Sequence, residues 1–296
     1  MRVGIPKGLL YYDYHPFFHT FFEELGAEII TSDDTNKTIL DLGVKHCVDE
    51  ACLPVKVFHG HVAAIKDTCD MLVIPRIIQL RKREYICPKF CGLPEMLLCS
   101  ISDMPRVTMT PFYATSKKRM FTWAKEVGKE VTKSTDKIQK AFEAAIHGQE
   151  SYKRAATYGD YNITIALAGH PYNIYDNFIN MNIINKLNKL GVTVVTEESV
   201  DDMAIDKEVA GLYKKPFWSF ARNNYGFTAH VAQNKTVDGI IYLSSFACGI
   251  DSVVVELIKY KLEEFPMLLI KIDEHTGEAG LDTRLEAFVD MLERRG

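Results

Sequence analysis

Short apolar runs alternate with amphipathic stretches along most of the chain. In the first half, the apolar runs predict strands at 2–6, 28–30, 71–77 and 107–111. In the second half they predict strands at 163–168, 192–196, 239–243 and 267–272, with a helix over 176–190 after the first of these. Strands that alternate with helices favour parallel sheets. We therefore predict an α/β protein with two Rossmann-like domains.

The segment between these halves has a different pattern. From Ser116 to about Thr157 the apolar residues keep helical spacing, and lysine and glutamate occupy the remaining positions. We predict a helical connector at 116–158 that joins an N-terminal domain, 1–115, to a C-terminal domain, 159–296.

Composition and charge exclude several classes of protein. The chain is 47% hydrophobic and 25% charged, as in ordinary globular proteins, and its net charge of −4 gives no electrostatic footprint for nucleic acid. No apolar run approaches the ~20 residues of a membrane span. The opening residues, MRVGIPKG, lack the apolar core of a secretory signal, so we expect a cytoplasmic protein without nucleic-acid or membrane partners.

The seven cysteines carry the clearest chemical signal. Cytosolic thiols stay reduced, so clustered cysteines indicate metal binding or catalysis more often than disulfides. Five of them flank proline, glycine or polar turns: Cys47, Cys52, Cys87, Cys91 and Cys248. Cys69 and Cys99 lie in apolar surroundings, which is typical of small core residues.

The predicted topology gathers the five turn cysteines. Both N-terminal pairs and Cys248 fall beyond strands, at the edge where open α/β sheets bind ligands. Cys52 comes just before a helix N-terminus, which favours a thiolate. Two such domains facing each other would place thiolates around a cleft, and four thiolates complete a 4Fe–4S cluster. The CxxxxC and CxxxC spacings lack the CxxC signature of common zinc fingers and ferredoxins, and on chemistry alone zinc remains an alternative metal for these thiolates.

Other polar residues are weaker candidates for a functional site. His170 lies between a predicted strand and helix. There it could bind an anion or orient a substrate, or it could be a turn residue whose ring is hydrogen-bonded to the backbone. His59 and His61 are two apart in a helix, so they cannot share a face. Arg76 and Lys89 could balance the charge of a cluster. The absence of GxGxxG and of a P-loop argues against a dinucleotide or ATP site of those types.

Several motifs together resemble a known family, and they span nearly the whole chain. They are GIPKGLLYY, HCVDEACLPVK, YICPKFCGLP, GHPYNIYDNFINMNII, FACGIDS and DEHTGEAGLDTRLEAF. This set is similar to the acyl-CoA dehydratase activase-related proteins, relatives of the 2-hydroxyacyl-CoA dehydratases and of double-cubane-cluster proteins. The resemblance implies two Rossmann-like domains with an iron–sulfur cluster in the cleft between them. It also implies an oxygen-sensitive protein of anaerobic metabolism that receives electrons from a separate ATP-dependent activase.

The resemblance also ranks the cysteines. Cys47, Cys52, Cys87 and Cys248 match the family pattern, whereas Cys91 stands where we expect relatives to carry an apolar residue. A double-cubane 8Fe cluster would need six thiolates. The five candidates therefore favour a single 4Fe–4S cluster.

These observations lead to three hypotheses. The first is an iron–sulfur redox protein that takes low-potential electrons from the activase and passes them to a small substrate such as an acyl-CoA. The second is a non-catalytic electron carrier or partner subunit with a fully cysteine-ligated cluster, and the third is a structural zinc protein. No catalytic residue is assigned at this point, and a monomer and an oligomer fit equally well.

Overall fold

The computed structural model describes residues 1–295, which divide into two compact units between Lys153 and Arg154. Both are α/β units built on parallel sheets. None of the helices within residues 1–295 combines the length and apolar character needed to cross a bilayer.

The first unit contains a four-stranded and a two-stranded sheet. Its strands are β1 (Arg2–Ile5), β2 (Glu28–Thr31), β3 (Met71–Leu72), β4 (Arg76–Gln79), β5 (Arg106–Val107) and β6 (Pro111–Tyr113). The main sheet has the order β2-β1-β3-β5, and β4 pairs with β6; all these pairs are parallel. Its helices are α1 (Tyr11–Glu24), α2 (Lys37–His46), α3 (Leu53–Ile65), α4 (Pro88–Cys91), α5 (Leu93–Ser100), α6 (Lys117–Gly128) and α7 (Thr135–Ser151).

The apolar run at 71–77 forms two strands rather than one. Proline at position 75 has no N–H to donate to a ladder, so the run is divided there between β3 and β4. The Ile74 N–H is satisfied instead by the side-chain hydroxyl of Thr108, at 2.9 Å. The run predicted as one strand at 107–111 is also shared between two strands, β5 and β6.

Helices α6 and α7, which cover the segment predicted as a connector, pack into the first unit. The side chain of Gln149 in α7 donates to the carbonyl of Asp13, and Lys137 donates to the carbonyl of Leu25. Four phenylalanines on one face of α1 meet the fully buried Trp123 of α6 at ring-centroid distances of 5.4–6.3 Å: Phe17, Phe18, Phe21 and Phe22. This aromatic cluster joins α6 to the core of the unit.

The second unit has one five-stranded sheet. Its strands are β7 (Thr157–Tyr158), β8 (Ile163–Gly169), β9 (Val192–Val195), β10 (Gly239–Ser245) and β11 (Met267–Ile272), in the order β11-β10-β8-β9-β7. All neighbours are parallel except β7, which is antiparallel to β9. The helices are α8 (Pro171–Ile174), α9 (Ile183–Lys189), α10 (Asp202–Ala210), α11 (Ser219–Gln233), α12 (Gly249–Leu262) and α13 (Glu278–Glu293), with a 3₁₀ helix at Glu197–Ser199.

The helix predicted over 176–190 begins only at Ile183. The Asp176 side chain accepts hydrogen bonds from the backbone N–H groups of Phe178 and Ile179, which forms a turn in place of the first helical residues. Asn182, just before α9, has a φ of 57°, in the left-handed region.

Helices α2 and α3 form a hairpin that crosses at two glycines. A methyl group at Gly60 would overlap the carbonyl oxygen of Ile39, and one at Gly43 would overlap the carbonyl oxygen of Lys56. The two backbones therefore touch directly. This contact fixes the connecting segment, which carries Cys47 at the end of α2 and Cys52 at the start of α3.

Replacing Gly60 by alanine tests this crossing. Because the added methyl group meets backbone rather than a flexible side chain, we expect the first unit to lose about 1–3 kcal/mol of stability. Gly280→Ala in α13 is the matched control, since its added methyl group meets open space and a better helix former replaces glycine. Thermal unfolding followed by circular dichroism measures both, and an unchanged midpoint for Gly60→Ala would contradict the close crossing.

Candidate functional site

Three predicted cysteine ligands lie at helix ends in the first unit. Cys47 directly follows α2, Cys52 is the N-cap of α3, and Cys87 is the N-cap of α4. All three are partly buried. At both N-caps the side chain makes no capping hydrogen bond, so neither sulfur is engaged in capping its helix.

The charge of the Cys52 thiol acts on both of the others. Burial raises the pKa of the Cys47 and Cys87 thiols, and the neighbouring Cys52 raises both pKa values further. Lys89 acts in the opposite direction on both pKa values, and its Nζ lies 3.7 Å from the Cys52 sulfur. A metal that binds here must therefore displace protons from the Cys47 and Cys87 thiols.

A second cation lies close to these thiols. Lys56 follows Cys52 by four residues in α3 and is only 2% exposed. Its charge lowers the pKa of the Cys47 thiol, against the effect of burial. The three thiols thus share a half-buried environment with two lysines, which suits an anionic group.

The remaining cysteines of the first unit differ from one another. Cys91 is exposed at the end of α4, four residues after Cys87. Cys69 is buried and donates to the carbonyl of Ile65 at 3.4 Å, as expected for a core cysteine. Cys99 is exposed on α5, so the prediction that it fills the core is wrong: within its apolar run the helix buries Leu97 and leaves Leu98 and Cys99 exposed.

His59 and His61 have structural partners. His59 bonds the carbonyl of Val55 within its own helix, at 2.7 Å. The two ring nitrogens of His61 bond the hydroxyls of Ser32 and Thr35, at 2.8 and 2.9 Å. Arg76, the other candidate near the strand ends, pairs with Glu95.

In the second unit, His170 and Cys248 lie where the strand order reverses. From β8 the chain proceeds to β9 on one side and then crosses to β10 on the other, so the carboxyl ends of β8 and β10 form a topological switch point. His170 follows β8 directly, and Cys248 is the N-cap of α12 after β10. The setting predicted for these two residues is confirmed within this unit.

Asp251 joins them, and sequence reasoning missed it. It lies in the first turn of α12 and is 1% exposed. One oxygen of its carboxylate lies 3.5 Å from His170 Nε2, and ligand atoms of His170, Cys248 and Asp251 all lie within 4.8 Å of one another. The signal was its position three residues after Cys248 in FACGIDS, where the next turn of a helix brings the two side chains to one face.

Two hydroxyls orient the Asp251 carboxylate. Tyr242 and Ser244 each donate a hydrogen bond to it, at 2.8 Å, one to each oxygen. Burial, and then the charge of Asp251, raise the pKa of Tyr242 well above its usual value, so this hydroxyl stays a donor at neutral pH. Within residues 1–295, the His170, Cys248 and Asp251 group alone brings three such ligands this close together.

The burial of His61 has a consequence for stability. Burial, and next the charge of Lys7, lower the pKa of His61 to about 3, whereas an unfolded histidine titrates near 6.5. The unfolded chain therefore binds a proton first as pH falls, and stability is lost below pH 6.5. At pH 5 we expect a loss of about 2 kcal/mol from this residue.

Urea unfolding at pH 7 and pH 5 measures this loss. Trp123 reports on the first unit alone in a Trp218→Phe background, because these are the two tryptophans of the chain. His61→Asn should lose less stability between the two pH values than its parent. Equal losses would show that His61 does not carry the effect.

A family model, the CoA enzyme activase uncharacterised domain (DUF2229), matches residues 2–200. No curated protein matches the chain. The matched region includes Cys47, Cys52, Cys87 and His170. It ends before Cys248 and Asp251. Its name associates the family with CoA enzyme activase systems. Since the match covers more than half of the chain, the protein belongs to the CoA enzyme activase uncharacterised domain family (DUF2229).

Proposed function

We propose that this protein is an iron–sulfur redox protein, related to 2-hydroxyacyl-CoA dehydratase components and to double-cubane-cluster proteins. In this role it receives low-potential electrons from an ATP-dependent activase and passes them to a small substrate, with an acyl-CoA as the candidate. The observation that carries the proposal is the grouping of Cys47, Cys52 and Cys87 beside Lys56 and Lys89.

The spacing of these thiols supports a cluster over a single ion. A 4Fe–4S cluster takes one thiolate per iron, so its sulfur ligands stand farther apart than the ligands of one metal ion. The Cys52 thiol acts on the ionisation of Cys47 and of Cys87, yet the three sulfurs do not all lie within 4.8 Å of one another. Sulfurs that stand farther apart than this suit three irons of one cluster better than one metal ion.

The surrounding charges support the same choice. A cluster with thiolate ligands is an anion, and an anion in a half-buried site needs cations nearby. Lys56 is buried, and Lys89 lies against the Cys52 sulfur. When bound, such a cluster accepts and donates one electron at a time, and these lysines would favour its reduced form.

The fourth iron has two candidate protein ligands. Cys91 is four residues from Cys87 on the same short helix, and Cys248 comes from the second unit. An 8Fe double cubane is less favoured because it needs a sixth thiolate. Cys69 does not suit that role. Its sulfur packs against Gly4 of β1, and the residue comes just before β3, at the amino end of the sheet.

Iron and sulfide analysis after anaerobic purification and reconstitution tests the proposal. We expect roughly four irons and four sulfides per chain. Cys52→Ser should lose most of both, because Cys52 is the thiol whose charge acts on both of the others. Cys99→Ser is the matched control, an exposed cysteine on α5 that should leave the content unchanged. Parallel Cys91→Ser and Cys248→Ser variants identify the fourth ligand as the one whose loss lowers the content.

Two results would contradict the proposal. One is a colourless wild-type protein with no iron after reconstitution. The other is retention of full iron and sulfide in Cys52→Ser. Stoichiometric zinc together with redox silence would favour a structural zinc protein instead.

The charge of Lys89 yields a separate expectation. Because its ammonium group lies 3.7 Å from the Cys52 sulfur, Lys89→Met should make reduction harder and lower the midpoint potential. Lys118→Met, at an exposed position on α6, is the control and should leave the potential unchanged. Electrochemical titration followed by electron paramagnetic resonance measures both. Equal potentials in the two variants would show that Lys89 does not act on the cluster.

The five candidate cysteines also suffice to ligate every iron of a cubane, which favours a second function, that of an electron carrier or cluster-bearing partner subunit. The two functions differ in whether a substrate reaches the iron. A spectrum that shifts when an acyl-CoA is added supports the enzyme. A spectrum that stays unchanged supports the carrier.

A further inference from the structure

We infer that His170, Cys248 and Asp251 form a binding site for one divalent transition-metal ion in the second unit. This goes beyond the proposed function, because it assigns Cys248 to a centre of its own. Of the two candidate ligands for the fourth iron of the cluster, only Cys91 then remains.

The fold brings the three residues together without help from the first unit. Strands β8 and β10 are neighbours, with Gly169 in register with Leu243, so the segments that follow them leave the sheet side by side. His170 comes immediately after β8. After β10 the chain turns at Ala247, whose φ is 61°, and Cys248 then begins α12. Asp251 follows one turn later.

The distances suit one small ion. In a tetrahedral site with bonds of about 2.0–2.1 Å, nitrogen and oxygen ligands stand roughly 3.4 Å apart. His170 Nε2 and the nearer Asp251 oxygen are 3.5 Å apart. The Cys248 sulfur lies within 4.8 Å of a ligand atom of each of these two residues. A change of roughly 1 Å at its side chain would complete the coordination geometry.

The imidazole of His170 is incompletely satisfied as it stands. His170 is 2% exposed, and its Nε2 has no hydrogen-bond partner. The ring packs against the aromatic rings of Tyr172 and Phe220, each 5.1 Å away between centroids, so water is not an easy substitute. A buried nitrogen without a partner costs free energy unless a ligand satisfies it. A metal ion at this position would do so.

Charge favours the same occupant. The Asp251 carboxylate is buried, and the imidazole of His170 lies 3.5 Å from one of its oxygens. One thiolate and one carboxylate carry two negative charges, which a divalent ion neutralises. The hydrogen bonds from Tyr242 and Ser244 hold the carboxylate in place, as the outer partners of metal ligands do.

The ligand types define the class of metal and its coordination. Imidazole and thiolate favour zinc, cobalt or iron(II) over magnesium or calcium. Three protein ligands leave the fourth tetrahedral position open, as in catalytic zinc sites. Cys248, Asp251 and Ser244 also line a polar cavity of about 160 Å³, whose wall includes Lys259 and Lys271. We expect that position to take water or an oxygen atom of a small anion.

Cobalt(II) is the probe for this site. The experiment uses the full chain with Cys47, Cys52 and Cys87 replaced by serine, so that the first unit's thiols cannot contribute. We expect one equivalent of cobalt to bind, with thiolate-to-cobalt charge-transfer absorption and the intense visible bands of tetrahedral cobalt. Cys248→Ser should abolish the charge-transfer absorption, and His170→Gln and Asp251→Asn should each weaken binding at least tenfold.

Controls separate loss of the site from loss of the fold. Cys99→Ser in the same background should bind cobalt like its parent. Zinc should raise the melting temperature of the background protein but not of the His170→Gln variant, provided that both give the same circular dichroism spectrum. Should His170→Gln fail to fold, the Asp251→Asn variant supplies the same comparison.

Three results would overturn the inference: no cobalt bound by the background protein, unweakened binding in both ligand variants, or no thiolate band. Failure of the proposed function is read separately, from iron and sulfide in the wild-type chain. Cobalt binding alongside an iron-free wild type keeps this site and rejects the cluster. If the wild type holds iron and the background protein binds no cobalt, the cluster is kept and the metal site of the second unit is rejected.

Discussion

Parallel strands of one sheet end at the same edge, and this constraint organises the candidate site of the second unit. At that edge each strand passes its chain to a helix, so the residues that begin the helices are brought together from distant parts of the sequence. His170 and Cys248 are both helix N-caps beyond neighbouring strands. In the first unit, Cys52 and Cys87 are N-caps as well. The fold therefore supplies a thiol or an imidazole where its loops already converge.

The glycine crossing of α2 and α3 adds rigidity to that arrangement. Gly43 and Gly60 let the two helices meet backbone to backbone, and the short segment between them holds Cys47 and Cys52. Ligands on such a hairpin keep their spacing whether or not a metal is bound, which lowers the cost of assembling a site. The two lysines beside these thiols then suit an anionic group rather than a lone cation.

Sequence periodicity was enough to predict the parallel α/β units and the setting of His170 and Cys248. It failed where local chemistry overrides periodicity. Pro75 divides an apolar run into two strands, and the Asp176 turn delays the start of α9. Asp251 was missed because a single carboxylate in a helix is usually a surface residue; its role depends on burial, which only the packed structure shows.

The visible absorption spectrum of the reconstituted wild-type protein, recorded under nitrogen, tests the central claim most directly. Thiolates of the first unit that hold an iron–sulfur cluster would give a brown protein with broad absorption that falls on reduction with dithionite. A protein that remains colourless before and after reconstitution would contradict the account, whatever metal the second unit binds.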